Sequence, residues 1–282
     1  MSHGDLSSFR FSNLRHTIPA LSTSLIHPTA LISAEARIAD GVKIGPYSVI
    51  EGPVTIAENC EIAGHVLIQG KVTIARGNRI GWGSIVGADP QDLHFNPQTD
   101  SGVELGESNT LREYVTIHRG SQAGGITRIG ANNFLMTGVH LAHDVQMGDH
   151  NVLANNVLLA GHIQVGNKCF LGGGSVFHQF IHIGDYAIAQ GNAAISQDIP
   201  PYCMAHGNNL LAALNIIGLK RAGFTPDQRA EIKRAFRLLL EGNRQVALQQ
   251  ASLVTWSDAA MLLVKAVENP SRKGILTRSQ TL

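Results

Sequence analysis

Residues 135–165 read LMTGVH LAHDVQ MGDHNV LANNVL LAGHIQ V, and the spacing of Leu135, Leu141, Met147, Leu153, Leu159 and Val165 decides the fold. One aliphatic residue at every sixth position matches neither the period of a helix nor the alternation of a simple strand. The spacing extends in both directions. Toward the N-terminus an aliphatic residue stands at every sixth position from Ile26 to Val86. The pattern is lost between Gly87 and Glu104, resumes at Leu105, and runs through Leu111 and Ile117 to Ile129, with an alanine at position 123 as the one gap. Toward the C-terminus it passes through Leu171, Phe177 and Ile183 and closes on Ala189 and Ile195. This is the hexapeptide repeat of a parallel β-helix.

Each hexad is a short strand plus a corner, and three hexads make one triangular coil of about 18 residues, with coils about 4.8 Å apart. The aliphatic residue points inward, so equivalent positions form ladders. Gly45, Gly130, Asn132 and Gly166 supply corner conformations that β-branched residues resist. The composition agrees: 30 glycines, 44% hydrophobic and only 5% aromatic residues suit a core of small and branched side chains. Two stretches out of register, 87–104 and 119–128, are expected to be loops expelled from the coils, a common place for function.

After Pro200-Pro201 the hexads stop. Thr225-Pro226-Asp227 is a helix start with proline at the first helical position. Ile232, Ala235, Phe236, Leu239 and Leu240 follow on one apolar face, and Gly242-Asn243 ends that helix. Weaker helical segments lie near 245–254 and 258–268. The expected organisation is an N-terminal extension over 1–25, a β-helix over 26–199 and a small helical domain over 200–282.

The net charge of +1 names no partner, but its distribution is uneven. Residues 1–209 hold 11 Lys/Arg against 16 Asp/Glu, and residues 210–282 hold 11 against 5. Arg229, Lys233 and Arg237 form a basic stripe at four-residue spacing, which suits an acidic partner or a solvated helix face. Nothing indicates nucleic acid. Cys60, Cys169 and Cys203 form no paired motif, which fits a reducing, cytoplasmic setting. No apolar run approaches the roughly 20 residues of a membrane span. The stretch 1–25 lacks the apolar core of a secretory signal and weakly resembles a transit segment, but it is expected to be a disordered or loosely docked extension.

Eight of the 13 histidines fall between residues 118 and 206. A coil of three hexads places Asp144 beneath His162, and His143 beneath Gly161 and Gln179. It also suggests that His140 and His178 share a corner on neighbouring coils. The expected result is one outward patch of His140, His143, Asp144, Gly161, His162, His178 and Gln179. A histidine beside a carboxylate is the usual general-base pair, and a glycine N–H suits an oxyanion. Several imidazoles on one face also suit a metal ion.

At these residues the sequence resembles the UDP-N-acetylglucosamine 3-O-acyltransferase family. The runs carrying the resemblance are IHRG at 117–120, LMTGVHLAHD at 135–144, LANNVLLAGH at 153–162 and HQF at 178–180. QDL at 91–93, QGN at 190–192, SQDIPPY at 196–202 and NIIGLKRAGF at 215–224 extend it over roughly residues 26 to 240. The resemblance implies a left-handed coil and a homotrimer with the site between subunits. It also implies transfer of a 3-hydroxyacyl chain from acyl carrier protein to UDP-N-acetylglucosamine, the first step of lipid A synthesis, without a cofactor or metal. By matching position, His143 would be the base, Asp144 its orienting partner and the Gly161 N–H the oxyanion donor. Asp92, His140, His162, Gln179, Asn215 and Arg221 would contact the nucleotide sugar, His178 would support the site, and Gly191 would leave room for a long acyl chain.

The sequence departs from the family at three positions. His94 stands where the family usually has lysine, Ile217 replaces an acidic sugar contact, and Ala222 replaces a commonly basic residue. His94 is therefore kept as a substrate-contact candidate, and the acceptor is expected to be UDP-N-acetylglucosamine or a close variant such as a 3-amino sugar. The competing readings are a metal-dependent hydratase on the same fold and a non-catalytic sugar-nucleotide binder.

Overall fold

The computed structural model describes residues 25–277, so all but the last residue of the expected N-terminal extension lies outside the described residues. Strands of two to four residues follow one another from Leu31–Ile32 to Ala194–Ile195, and every third strand joins the same parallel sheet. Face 1 runs from Leu31–Ile32 through Thr116–His118, His140–Leu141, Leu158–Leu159 and Val176–Phe177 to Ala194–Ile195. Face 2 runs from Arg37–Ile38 to His182–Ile183, and face 3 from Lys43–Ile44 to Ile188–Ala189. Partners on a face are three hexads apart, as in His140 with Leu158 and Leu158 with Val176.

The aliphatic residue of each hexad from Ile44 to Ile195 is no more than 4% exposed. A second inward ladder comes from the residue two places earlier, because alternate side chains of a strand share a face. It includes Val54, Val139, Val157 and Ile163, and one column of it carries a run of four asparagines. There Asn78, Asn109, Asn133 and Asn151 each accept, through Oδ1, the backbone N–H of the residue one coil further on. These buried amides are therefore paired, as buried polar groups must be.

On face 1 the steps from Ile85 to its partner Thr116, and from Thr116 to His140, are longer than a regular coil because a loop is extruded from each. The loops are shorter than the break in spacing implied. Strands Ile85–Ala88 and Gly102–Leu105 leave only 89–101, and Thr116–His118 and Ile126–Ile129 leave 119–125. Backbone pairing persists there without an aliphatic residue in register.

β-Structure also continues past Pro200. Cys203–His206 pairs with Ile188–Ala189 and turns back antiparallel onto Leu210–Leu214, closing the end of face 3. A hairpin carries no hexad, so spacing could not show it. Among the described residues four helices follow: α1 (Ile216–Arg221), α2 (Pro226–Leu240), α3 (Arg244–Ser252) and α4 (Asp258–Glu268). Thr225 and Gln228 form a capping box at the start of α2. Asn243 does not terminate α2; its side chain caps α3. After α4, Ile275 and Thr277 bridge back to Asp198 and Leu210. No helix among the described residues is long and apolar enough to cross a membrane.

Candidate active site

Asp144, His162 and Phe180 are the same corner residue of three successive coils, between faces 1 and 2, and all three have positive φ. The residue before each, His143, Gly161 and Gln179, forms the adjoining column, as the coil length implied. His143 Nδ1 donates to Asp144 Oδ2 at 2.9 Å, which leaves Nε2 as the acceptor nitrogen of a neutral ring. The same Oδ2 accepts the Ser121 hydroxyl at 2.6 Å and the Ser121 N–H at 3.0 Å. Asp144 N–H donates to Thr127 Oγ1. Burial is the largest influence on the Asp144 carboxyl and opposes ionisation. The hydrogen bonds from His143 and Ser121 and the nearby His162 outweigh it and hold the pKa at about 2. Asp144 is thus a fixed anion at neutral pH.

Ser121 was not visible as a site residue in the sequence. It lies in the loop 119–125, and only the fold shows that this loop brings a hydroxyl to Asp144. Arg119 is a second residue that spacing missed. Its guanidinium donates to Asp89 and to the carbonyls of Thr99 and Pro97, and lies over the Phe95 ring, so it pins the loop 89–101.

His140 Nδ1 is 2.7 Å from Thr116 Oγ1, and its ring meets His118 edge to face at 4.9 Å. Burial, and then His143, lower the proton affinity of His140. His118 lies deeper, and its Nδ1 has no hydrogen-bond partner among the described residues. Burial first, then His140 and His143, push its pKa to about 4. Both rings are therefore neutral at neutral pH. Gly161 faces the His143 ring so closely that any side chain there would strike it. Among the described residues the Gly161 N–H has no acceptor.

A cleft of about 330 Å³ opens over His140, His143, Gly161, Leu158, Gln179 and the loop residue Gln91. His178 is not part of it. It stacks over Ala160 and Ala142, two coils beyond the His140 strand rather than one, and two positions out of step with His140. His178 is exposed, with Nδ1 3.2 Å from the Gln179 carbonyl. Asp92 and His94 are exposed in the loop 89–101, where Asp92 Oδ1 accepts the His94 N–H.

Asn215 and Arg221 lie elsewhere, beside a groove of about 700 Å³ on face 3 with Phe170, Ile188 and Ile217. Asn215 caps α1 by accepting from Gly218 N–H and donates to the Tyr186 carbonyl, so its amide is committed within the chain. Arg221 is exposed at the end of that helix. Gly191 sits at the opposite edge of face 1 from His143. A Cβ there would meet only the Gly173 backbone, 3.2 Å away at its nearest. A single chain therefore gathers the histidine cleft but leaves Asn215 and Arg221 on another face.

His143, Asp144 and His162 are the one group among the described residues whose ligand atoms lie within 4.8 Å of one another, as a metal site would need. Asp144 Oδ2 already accepts three hydrogen bonds.

A family model described as UDP-N-acetylglucosamine O-acyltransferase, domain 2, matches residues 198–276, and the bacterial transferase hexapeptide model matches 35–70 and 126–161. An acyl-[acyl-carrier-protein]–UDP-N-acetylglucosamine O-acyltransferase of Herminiimonas arsenicoxydans is 40% identical over 90% of this chain and 99% of its own. The chain belongs to the UDP-N-acetylglucosamine O-acyltransferase family. Another member, from Sulfurihydrogenibium, is 57% identical over 79% of this chain and 82% of its own. The crystal structure of the Moraxella catarrhalis acyltransferase superposes with a TM-score of 0.85 at 39% identity, covering 90% of this chain and all of that one. That of Francisella novicida gives 0.86 at 33% identity, covering 90% and 95%. The coil is the left-handed parallel β-helix of these acyltransferases, followed by a small helical region.

Proposed function

We propose that this chain transfers a 3-hydroxyacyl group from acyl carrier protein to the 3-hydroxyl of UDP-N-acetylglucosamine, the first step of lipid A synthesis, in the cytoplasm. The observation that carries it is the His143–Asp144 pair beneath Gly161, in a chain of this family. His143 Nε2 takes the proton of the sugar hydroxyl as its oxygen attacks the thioester carbonyl. Asp144 stabilises the imidazolium, and the Gly161 N–H donates to the oxyanion. Collapse forms the ester and expels the carrier thiolate, which recovers the proton from His143. His140, His162 and Gln179 hold the sugar, and Gly191 leaves space for the acyl chain.

The separation of the cleft on face 1 from Asn215 and Arg221 on face 3 supports a homotrimer, in which face 3 of one chain completes the cleft of the next. Sedimentation of an active monomer would contradict it. In this reading Asn215 acts by directing α1 and Arg221 rather than by touching the sugar. The hydratase reading has only the three-residue cluster behind it, and leaves the glycine over His143 without a purpose.

The test is incubation of purified protein with hydroxyacyl carrier proteins of several lengths and either UDP-N-acetylglucosamine or its 3-amino analogue. An alkali-labile ester of UDP-N-acetylglucosamine is the expected product. An amide formed only from the amino analogue would redirect the acceptor to that variant, where Ile217 and Ala222 stand in place of polar family residues. No acyl product from either acceptor would overturn the reading.

A further inference from the structure

Arg272 lies in the segment after α4, outside every residue so far placed in the site. Its Cζ stands 3.5 Å from the centroid of the Phe180 ring. Phe180 stacks flat on His162, with centroids 4.7 Å apart and planes 5° from parallel. His162 in turn meets the His143 ring edge-on at 5.0 Å and places Nε2 3.7 Å from Asp144 Oδ2. Guanidinium and rings thus form one column from the C-terminal segment to the His143–Asp144 pair.

The column is held at Phe180 and at Arg272. Phe180 has φ of 70°, uncommon for a bulky residue, and this corner conformation lays its ring over His162. Arg272 is placed by its neighbour Ser271, whose N–H and hydroxyl donate to the two oxygens of Asp198, each at 2.6 Å. Asp198 is 4% exposed, also accepts the His182 N–H, and bridges to Ile275 through its backbone. A buried carboxylate therefore fixes the position from which an exposed arginine reaches the aromatic ring.

We propose that Arg272 is a positioning residue, which through Phe180 holds the His162 imidazole in the orientation that receives the acceptor sugar. The proposal rests on the acceptor role read for His162 above, and it makes the C-terminal segment part of the site. A guanidinium is attracted to an aromatic face, and its planarity lets it stack where an ammonium does not. Its charge acts on His162 as well. Burial first, then His143 and Arg272, lower the proton affinity of His162, against the opposing pull of Asp144.

The experiment compares wild type with Arg272→Gln and Arg272→Lys in the full-length protein, by two readouts. The first is the pH titration of the His162 ring resonances without substrates. Arg272→Gln is expected to move the midpoint upward, and Arg272→Lys to leave it nearer the wild-type value. The second is kinetic. Arg272→Gln should raise KM for the nucleotide sugar roughly threefold to tenfold, with kcat and the donor KM nearly unchanged. In a His162→Asn background it should add nothing. An unchanged His162 titration would overturn the proposal. So would a KM effect that persists without His162, or one confined to the donor and abolished by salt, which would assign Arg272 to carrier-protein docking. If wild type transfers no acyl group, the functional reading fails, and the titration still judges the column.

Discussion

Gly161 lies directly over His143: a methyl group on its Cα would stand 2.5 Å from Cε1 of the imidazole and 2.7 Å from Nε2. Glycine is required here by contact and not by backbone conformation, since its φ is not in the left-handed region. Gly161→Ala should therefore push the ring away from the acceptor hydroxyl while leaving the fold intact. Turnover should fall by about 10²-fold or more, because a general base acts only within hydrogen-bond reach. Retention of near-normal kcat in this variant would mean that His143 is not working from the observed position.

Ser121 supplies two of the three hydrogen bonds to Asp144 Oδ2, and its hydroxyl gives one of them. A hydrogen bond to a charged group contributes about 1.5–3 kcal/mol. Ser121→Ala should lower kcat about tenfold and Ser121→Thr much less, with KM for either substrate little changed. Steady-state kinetics of the pair would check this, and equal effects from both substitutions would rule out the hydroxyl as the cause.

His118 links the site to stability. Its folded pKa of about 4 lies below the ordinary value of 6.5, so the unfolded chain binds the proton first as pH falls. This group's contribution is present above pH 6.5 and is lost as pH drops toward 4, by on the order of 3 kcal/mol. His140 and His162 shift in the same direction. Asp144, depressed to about 2, adds a further loss below about pH 4. Denaturant unfolding between pH 7 and 4.5 should show wild type losing more stability than His118→Asn. Parallel curves would contradict the assignment.

The basic stripe on α2 is narrower than its spacing implies. Arg229 is half-buried and donates to the Phe224 carbonyl at 2.5 Å, so it serves the turn into α2, while Lys233 and Arg237 are exposed. Reversing only Lys233 and Arg237 to glutamate should raise KM for the acyl donor several-fold at low salt and leave that for the nucleotide sugar unchanged. Added salt should weaken donor use by wild type more than by the variant, because exposed charges act mainly on encounter. Identical donor kinetics at low salt would exclude this surface from docking.

The coil, its core ladder and the stacking of His143, Gly161 and Gln179 could be read from Leu135, Leu141 and their equivalents, because one number, the six-residue period, fixes all three. Whatever does not repeat stayed hidden. Ser121 and Arg119 act from extruded loops, where no period links position to place. The hairpin Cys203–His206 with Leu210–Leu214 replaces a coil without a hexad. Arg272 reaches Phe180 from a segment that Asp198 anchors at Ser271, 73 residues away in the chain. The histidine pattern suggests a shared corner for His140 and His178, whereas the register puts alanines beneath His178.

On this account His143, held by Asp144, removes the proton of the acceptor hydroxyl. The most direct measurement is kcat of His143→Ala with saturating hydroxyacyl carrier protein and UDP-N-acetylglucosamine, on protein whose circular dichroism matches wild type. Turnover lower by about 10²–10⁴-fold is the expected result. Turnover within a few-fold of wild type would contradict it.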